Sequence, residues 1–115
     1  QEAFTEYTPE RRFTGQGNIL HGAIQMGLLD EIMGWVHFVL TGKMGVTTDL
    51  NVKFLGPLYI AGNLVRTTCR VVKHEGSTVS MEAALTNKDG VTCTTGTGTW
   101  RTISSERYGL LIHGK

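Results

Sequence analysis

The sequence has little cysteine and no excess of charge of either sign, and both shortages exclude classes of protein. Its two cysteines, Cys69 and Cys93, are too few and too far apart for a zinc knuckle, a CxxC redox pair or a disulfide scaffold. The 11 basic and 10 acidic residues give a net charge of +1, which provides no strong field to attract nucleic acid or an anionic membrane. We therefore expect a reduced protein with no metal, no cofactor and no nucleic-acid partner.

The length sets the number of domains. A chain of 115 residues is long enough for one hydrophobic core and too short for two, so we expect a single domain over residues 1–115. A dinucleotide-binding module would not fit beside it. No signal peptide precedes the first predicted elements, so the expected location is the cytoplasm.

A long apolar helix is predicted over residues 22–40. These 19 residues contain no proline, and twelve of them are Ala, Val, Ile, Leu, Met, Phe or Trp, distributed around the whole circumference. Such a helix is surrounded by protein or by lipid. Its length of about 28 Å would nearly cross a bilayer, but Asp30 and Glu31 near its middle would each cost about 2.5 to 3.5 kcal/mol there. We therefore expect no membrane span.

After Gly42 the hydrophobic period changes from helical to two, which predicts strands. The four segments are residues 46–54, 63–73, 77–87 and 91–103, and a weaker strand is predicted over residues 7–14, before the helix. Lys88, Asp89 and Gly90 form a turn signal that predicts a hairpin between the last two strands.

This order of elements predicts an α+β fold, with one antiparallel sheet of about five strands wrapped around one long helix. A single five-stranded sheet leaves its edges unpaired and does not enclose the helix completely. We therefore expect the chain to form a homodimer by joining two sheets edge to edge.

Asp30 is the main candidate for chemistry. Its helical neighbours at three and four positions are Met26, Gly27, Met33 and Gly34, so the carboxylate stands on an apolar face with little side-chain bulk. A buried acid needs partners. One interpretation is a structural acid at a helix–helix or subunit contact, and the other is a general base or nucleophile in a cleft where the glycines leave room for a ligand.

The segment "NILHGA" before the helix offers backbone donors. Asn18 is a possible cap, while Gly22 and Ala23 carry N–H groups at a helix N-terminus, where the first amides lack intrahelical acceptors and the dipole favours negative charge. This arrangement suits an oxyanion. The alternative is an ordinary helix start, and His21 is either a catalytic base or a residue that holds the loop through a hydrogen bond, the role we favour.

Other polar residues are interpreted as structural. Glu31 points about 100° away from Asp30 and is expected in solvent or in an ion pair. His37 follows Asp30 by two helical turns, so it either lies near the site or borders the core, the interpretation we favour. Arg66 and Arg70 share a strand face and either meet phosphates or, as we favour, lie in solvent. Gly96 and Gly98 share a strand face with Trp100, where missing side chains permit close approach by a ligand or another chain.

These residues together resemble the hotdog-fold acyl-CoA thioesterases, the group that includes the phenylacetate-pathway and human thioesterase-superfamily members. The resemblance covers roughly residues 13–103. Three features carry it. They are the "HGA" turn at residues 21–23, the acid Asp30 nine residues after His21, and the segment "GVTTDLNVKFLGPLYIAG" over residues 45–62.

The resemblance implies hydrolysis of an acyl-CoA or a related acyl thioester. Asp30 corresponds to the carboxylate that activates water or attacks the thioester, Gly22 to the residue whose N–H polarises the carbonyl, and Thr47 to a hydroxyl that helps to place the water. Because such sites are built across a dimer interface, Asp30 and the His21 turn of one site come from different subunits. The dimer is expected to assemble into a homotetramer.

Substrate-binding residues are expected around these positions. They are Ala23, Asn18, Gln16, Met26, Gly27, Met33 and Gly34, and which of them line the acyl path is left open by the periodicity. The sequence differs from the family pattern at three places: Ala23 replaces the second glycine of the turn, Gly15 stands where an asparagine is frequent, and Gly56 replaces a basic residue. These differences keep open a second interpretation, a hotdog module that binds acyl-CoA without cleaving it. A hotdog dehydratase or hydratase is less favoured because the spacing after His21 is thioesterase-like.

Overall fold

A computed structural model of the chain describes residues 2–7, 19–59 and 64–103. Within them lie one helix and five strands: β1 (Glu2–Tyr7), α1 (Gly22–Thr41), β2 (Gly45–Phe54), β3 (Val65–Glu75), β4 (Thr78–Thr86) and β5 (Thr92–Thr102).

The five strands form one sheet in the order β1-β3-β4-β5-β2, and all neighbouring strands are antiparallel. The helix α1 contacts every one of them. The predicted α+β fold, with one antiparallel five-stranded sheet against one long helix, is confirmed, and so is the hairpin of the last two strands, where Gly90 has a φ of 81°. Among the described strands, β1 and β2 are the two edges of the sheet.

The first strand differs from the prediction. The strand expected over residues 7–14 lies outside the described residues except for Tyr7, whereas β1 runs from Glu2 to Tyr7 and pairs with β3. Alternation is weak in the segment "EAFTEY", and its pairing with β3 supplies the order that its own pattern does not indicate.

The helix begins and ends at the predicted positions to within one residue. His21 is the N-cap, and Gly42 ends the helix with a φ of 68° and a hydrogen bond of 2.7 Å from its N–H to the Phe38 carbonyl. A left-handed residue of this kind stops a helix at low cost when it is glycine. By length and composition alone α1 would be able to cross a membrane, yet one side of it packs on the sheet, as the core helix of a folded domain does.

Only one side of α1 is covered by the sheet. Its buried residues are Gln25, Leu29, Ile32, Met33, Val36 and His37. They form the core with apolar residues of the sheet and loops, such as Leu58, Val65 and Leu85. Exposed apolar residues remain on the rest of the circumference, where Trp35 is 62% and Val39 is 63% exposed. Within the part of the chain that the structure describes, the sheet therefore does not enclose the helix, as the sheet-edge argument predicted.

Two glycines of β5 let α1 approach the sheet closely. A Cβ atom on Gly96 would lie 3.0 Å from Leu29 Cδ1, and one on Gly98 would lie 2.6 Å from Met33 Sδ. The close approach predicted at these glycines is therefore made by the chain's own helix, and the expectation of a ligand or a second chain there was wrong.

Candidate functional site

A carboxylate and a hydroxyl meet at the edge of the sheet. The Thr47 hydroxyl of β2 donates a 2.7 Å hydrogen bond to Asp30 Oδ1 on α1. Asp30 is half-buried and Thr47 is exposed, so the pair is open to solvent in the single chain. The contact occupies one of the two carboxylate oxygens.

A β-bulge makes this contact possible. Thr47 pairs with Trp100 and Asp49 pairs with Thr99, so Thr48 is an extra residue in β2, and its hydroxyl bonds to the Thr99 carbonyl at 3.1 Å. Strict alternation would place Thr47 on the face opposite Leu50. The bulge inserts one residue between them and returns both side chains to the helix side.

The predicted neighbours of Asp30 divide into two groups. Met26 is 41% exposed, and no described atom lies within 4 Å of a Cβ built on Gly27, so this side of α1 leaves space beside the carboxylate. Met33 is 0% exposed, and a Cβ on Gly34 would lie 2.8 Å from the Trp100 ring. We correct the expectation for these two residues: Met33 fills the contact with β5, and the space at Gly34 is taken by indole.

Trp100 was named only for its strand face, yet it borders the site. Its ring contacts the position of Gly34, one helical turn after Asp30, and its backbone pairs with Thr47. It also stacks on His37, with 5.8 Å between ring centroids. This side of α1 is therefore open at Gly27, before Asp30, and covered by the Trp100 ring at Gly34, after Asp30.

The turn before α1 presents backbone donors that the helix itself does not use. Gly22 is the first helical residue, and the first i to i−4 bond runs from the Gln25 N–H to the His21 carbonyl at 3.0 Å. The amides of Gly22 and Ala23 therefore have no intrahelical acceptor. The Phe54 ring lies 3.4 Å from a Cβ built on Gly22, so an apolar wall stands beside these donors.

His21 occupies the N-cap with an exposed side chain that makes no capping hydrogen bond within the described part of the chain. Its position therefore supports neither the predicted loop-holding bond nor a particular catalytic contact. The N-cap role considered for Asn18 belongs to His21. Asn18, Gln16 and Gly15 lie outside the described residues.

Sequence reasoning missed the role of Gln25 in this turn. Gln25 is 3% exposed, and its side-chain amide donates to the Leu20 carbonyl at 2.8 Å and accepts a hydrogen bond from the Thr94 hydroxyl. A glutamine inside an otherwise apolar helix was the available signal. Its partners lie far away in sequence or in the preceding loop, which periodicity does not reveal.

The remaining polar residues lie in the structural positions that the sequence predicted for them. Glu31 is exposed, and His37 is 1% exposed, with a 2.8 Å hydrogen bond between its Nε2 and the Thr102 hydroxyl. Burial, and to a lesser extent the charge of His74, lowers the pKa of His37. Burial raises the pKa of Cys69 to about 11, so its thiol is protonated at neutral pH.

The two arginines are ion-paired on the exposed sheet face, Arg66 with Glu6 and Arg70 with Glu82. Such pairs are typical of a solvated strand face. Among residues 2–7, 19–59 and 64–103, no group of three or more His, Cys, Asp or Glu side chains is arranged to hold a metal ion.

Asp30 and Gly22 of one chain do not converge on one ligand atom. They lie eight residues apart on one helix, which at 1.5 Å per residue separates them by about 12 Å along its axis. A nucleophile and an oxyanion donor must both reach within about 3 Å of the same carbonyl group. If both take part in one reaction, they come from two copies of the chain.

Comparisons with known proteins agree with this fold. The structure of the Escherichia coli PaaI protein from the phenylacetic acid degradation operon matches with a TM-score of 0.83 and 18% identity, over 90% of this chain and 73% of that one. A Streptococcus pneumoniae hypothetical thioesterase, solved with coenzyme A, matches with a TM-score of 0.82 and 19% identity, over 90% of this chain and 82% of that one.

A zebrafish protein, thioesterase superfamily member 2, is 26% identical, with a TM-score of 0.81 over 89% of this chain and 75% of that one. No curated protein sequence matches the chain. The sheet and helix are those of the hotdog fold, as the sequence resemblance predicted. The family model described as "Thioesterase superfamily" matches residues 17–94, more than half of the chain. The chain belongs to the thioesterase superfamily.

Proposed function

We propose that this protein hydrolyses an acyl-CoA, or a related acyl thioester, to the free acid and the thiol. The observation that carries the proposal is the 2.7 Å hydrogen bond from Thr47 to Asp30, which fixes a half-buried carboxylate beside the open side of α1 at Gly27. Family membership supports the reaction class. The structures of the Streptococcus pneumoniae protein and of a Bacillus halodurans protein that also matches were solved with coenzyme A, which supports the same ligand class here.

Asp30 acts as a general base or as a nucleophile. As a base, it takes a proton from water while the water oxygen attacks the thioester carbonyl carbon. As a nucleophile, it forms an acyl anhydride that water then hydrolyses. In both cases Thr47 holds one carboxylate oxygen and directs the other towards the reacting group.

Gly22 stabilises the oxyanion. When the carbonyl carbon is attacked, its oxygen gains negative charge, and the N–H of Gly22, with that of Ala23 beside it, donates to that oxygen. Collapse of the tetrahedral species breaks the C–S bond and expels the thiolate, which is a good leaving group at neutral pH. One carboxylate and one helix N-terminus are then sufficient for the reaction.

The site requires a homodimer. The outer edge of β2 carries backbone groups with no partner strand in the described sheet, and Val46 and Phe54 on it are 40% and 53% exposed. Pairing two β2 edges would join the sheets and bring Asp30 of one subunit towards the Gly22 turn of the other. Assembly of dimers into a tetramer and a cytoplasmic location are part of this proposal.

The decisive experiment is thiol release from a panel of short, aromatic and long acyl-CoAs. Wild type would be compared with Asp30→Asn, and Glu31→Gln would serve as the matched control because it removes the adjacent, exposed carboxylate. We expect release from wild type and Glu31→Gln and its loss in Asp30→Asn.

The other outcomes separate the alternatives. Ligand-dependent thermal stabilisation without release would favour an acyl-CoA-binding module. Equal release by Asp30→Asn and wild type would contradict the role of Asp30. Absence of both binding and release across the panel would contradict the proposed function.

A further inference from the structure

A series of buried hydrogen bonds joins strand β5 to the turn that carries Gly22. Thr94 on β5 is 0% exposed and Gln25 on α1 is 3% exposed. The Thr94 hydroxyl bonds to the Gln25 side chain, which in turn reaches the Leu20 carbonyl at 2.8 Å. This series of hydrogen bonds ends at Leu20, two residues before Gly22.

The direction of each bond follows from chemistry. A carbonyl oxygen only accepts, so the Gln25 NH2 group faces Leu20 and the side-chain oxygen faces Thr94. Thr94 must then be the donor. The amide therefore has one orientation that satisfies both partners, and a glutamine held in this way resists rotation of the turn.

Gln25 also binds the next peptide group through its backbone. Its N–H donates to the His21 carbonyl at 3.0 Å, and that carbonyl belongs to the same peptide unit as the Gly22 N–H. On the other side, the Leu20 N–H donates to the Leu58 carbonyl at 2.8 Å. Both peptide units that lead into Gly22 are thus held by a single residue of α1. The first of them is tied through Gln25 to β5, and the peptide unit before it is tied to Leu58.

Packing alone does not require this arrangement. A buried amide is costly unless it is hydrogen-bonded, and an apolar side chain of similar size would fill the space between α1 and β5. The bonds that compensate the glutamine are all directed at the sheet and at the turn. We infer that Gln25 is a positioning residue, which fixes the Gly22 N–H at the place where it meets the thioester oxygen.

The inference rests on the proposed function for its catalytic consequence, but the positioning itself is measurable without substrate. An oxyanion donor contributes in the transition state more than in the bound substrate. Disturbing it therefore lowers kcat and leaves KM nearly unchanged. A residue that only stabilises the fold changes neither value in the folded protein.

The test uses four variants of the full chain. Gln25→Leu removes both side-chain bonds, Thr94→Val removes the donor without changing the shape, and Thr94→Ser restores the hydroxyl. Thr102→Val is the matched control, because it removes the partly buried hydrogen bond of His37 between the same two elements at the other end of α1. For each variant, kcat, KM, the melting temperature and the NMR order parameter of the Gly22 amide are compared with wild type.

We expect kcat to fall about 100-fold in Gln25→Leu, as for a misplaced catalytic group, and about 10-fold in Thr94→Val, with KM changed less than about threefold. Thr94→Ser should restore most of the activity. The order parameter of the Gly22 amide should fall in Gln25→Leu and Thr94→Val, and not in Thr102→Val. If Gln25→Leu does not fold, the Thr94 pair carries the test.

Two results would overturn the inference. One is a lower melting temperature for Gln25→Leu or Thr94→Val with kcat and the Gly22 amide unchanged, which is the behaviour expected of Thr102→Val. The other is equal activity of Thr94→Val and Thr94→Ser. If wild type cleaves no thioester, the proposed function fails by itself, while the Gly22 amide still shows whether Gln25 holds the turn.

Discussion

Two adjacent strips of α1 differ in how they are built. The strip that faces the sheet contains Leu29 and Met33, both 0% exposed and packed against Gly96 and Gly98 of β5. The strip beside it contains Gly27 and Asp30. No described atom fills the space next to Gly27, and one hydrogen bond from Thr47 holds the Asp30 carboxylate. The first strip is filled to contact distance, and the second is open.

The difference shows how a small domain places a reactive group. Leu29 and Met33 fix the position of α1 because close-packed interiors allow little movement. Asp30 follows Leu29 in the chain, so its backbone is fixed by packing in which its own side chain takes no part. The carboxylate is therefore placed accurately while remaining open to a ligand, and changes in the two strips should have separable effects.

The largest separable effect is expected at Asp30. Asp30→Asn should lower kcat for thioester hydrolysis by about 10² to 10⁴-fold, the usual contribution of a general base. Its free energy of unfolding should change by no more than about 0.5 kcal/mol, because the group is not part of the packed core. Steady-state kinetics and urea denaturation of the same preparation measure both values. A large loss of stability would show that the open strip is structural after all.

Leu29→Ala should show the reverse pattern. Removing a fully buried leucine leaves a cavity against Gly96 and should cost about 2 to 5 kcal/mol of the free energy of unfolding. The protein that remains folded should retain its kcat, since the change leaves Asp30 and Thr47 in place. Urea denaturation with activity measured at low temperature tests this. A fall in kcat as large as that of Asp30→Asn would mean that the two strips do not act separately.

Two glycines of α1 provide a matched pair for the same comparison. Gly27→Ala should stabilise the helix by up to about 1 kcal/mol, because the new methyl group meets no described atom. Gly34→Ala should be less stable than Gly27→Ala by about 1 to 3 kcal/mol, because the Trp100 ring must move. Thermal melts of the two variants measure the difference. Equal stability would contradict the closed space at Gly34, and a raised KM in Gly27→Ala would support a ligand path at Gly27.

Periodicity predicted the elements of the fold because it reports burial directly. The helix over residues 22–40 was predicted to within one residue of its end at Thr41, and the change to alternation after Gly42 predicted the four later strands. The "HGA" turn and Asp30 were found from residue type and spacing. Their roles in catalysis remain proposals.

What periodicity did not predict depends on contacts between distant residues. A helix that is apolar all round does not indicate which side meets the sheet, so Met33 and Gly34 were expected to face a ligand although they meet β5 and Trp100. The bulge at Thr48 has no signal in the alternation, and it alone brings Thr47 to Asp30. The link from Gln25 to Thr94 spans 69 positions, a distance at which local patterns carry no information.

The smallest effect is expected on the pH dependence of stability, and it comes from His37. This residue lies further along the strip that contains Asp30, where the Trp100 ring covers the helix. Burial, followed by the charge of His74, lowers the pKa of His37 below the value of 6.5 that an unfolded histidine has. Between the two pKa values the unfolded chain binds a proton that the folded protein does not, so stability falls as the pH decreases through 6.5 towards the folded pKa. Melting temperatures at pH 5.5 and 7.5 should show this loss in wild type and a smaller one in His37→Gln, which does not titrate. Equal pH dependence of the melting temperature in wild type and His37→Gln would assign the loss of stability to other groups. It would also mean that the imidazole becomes protonated in the folded protein, between Trp100 and Thr102.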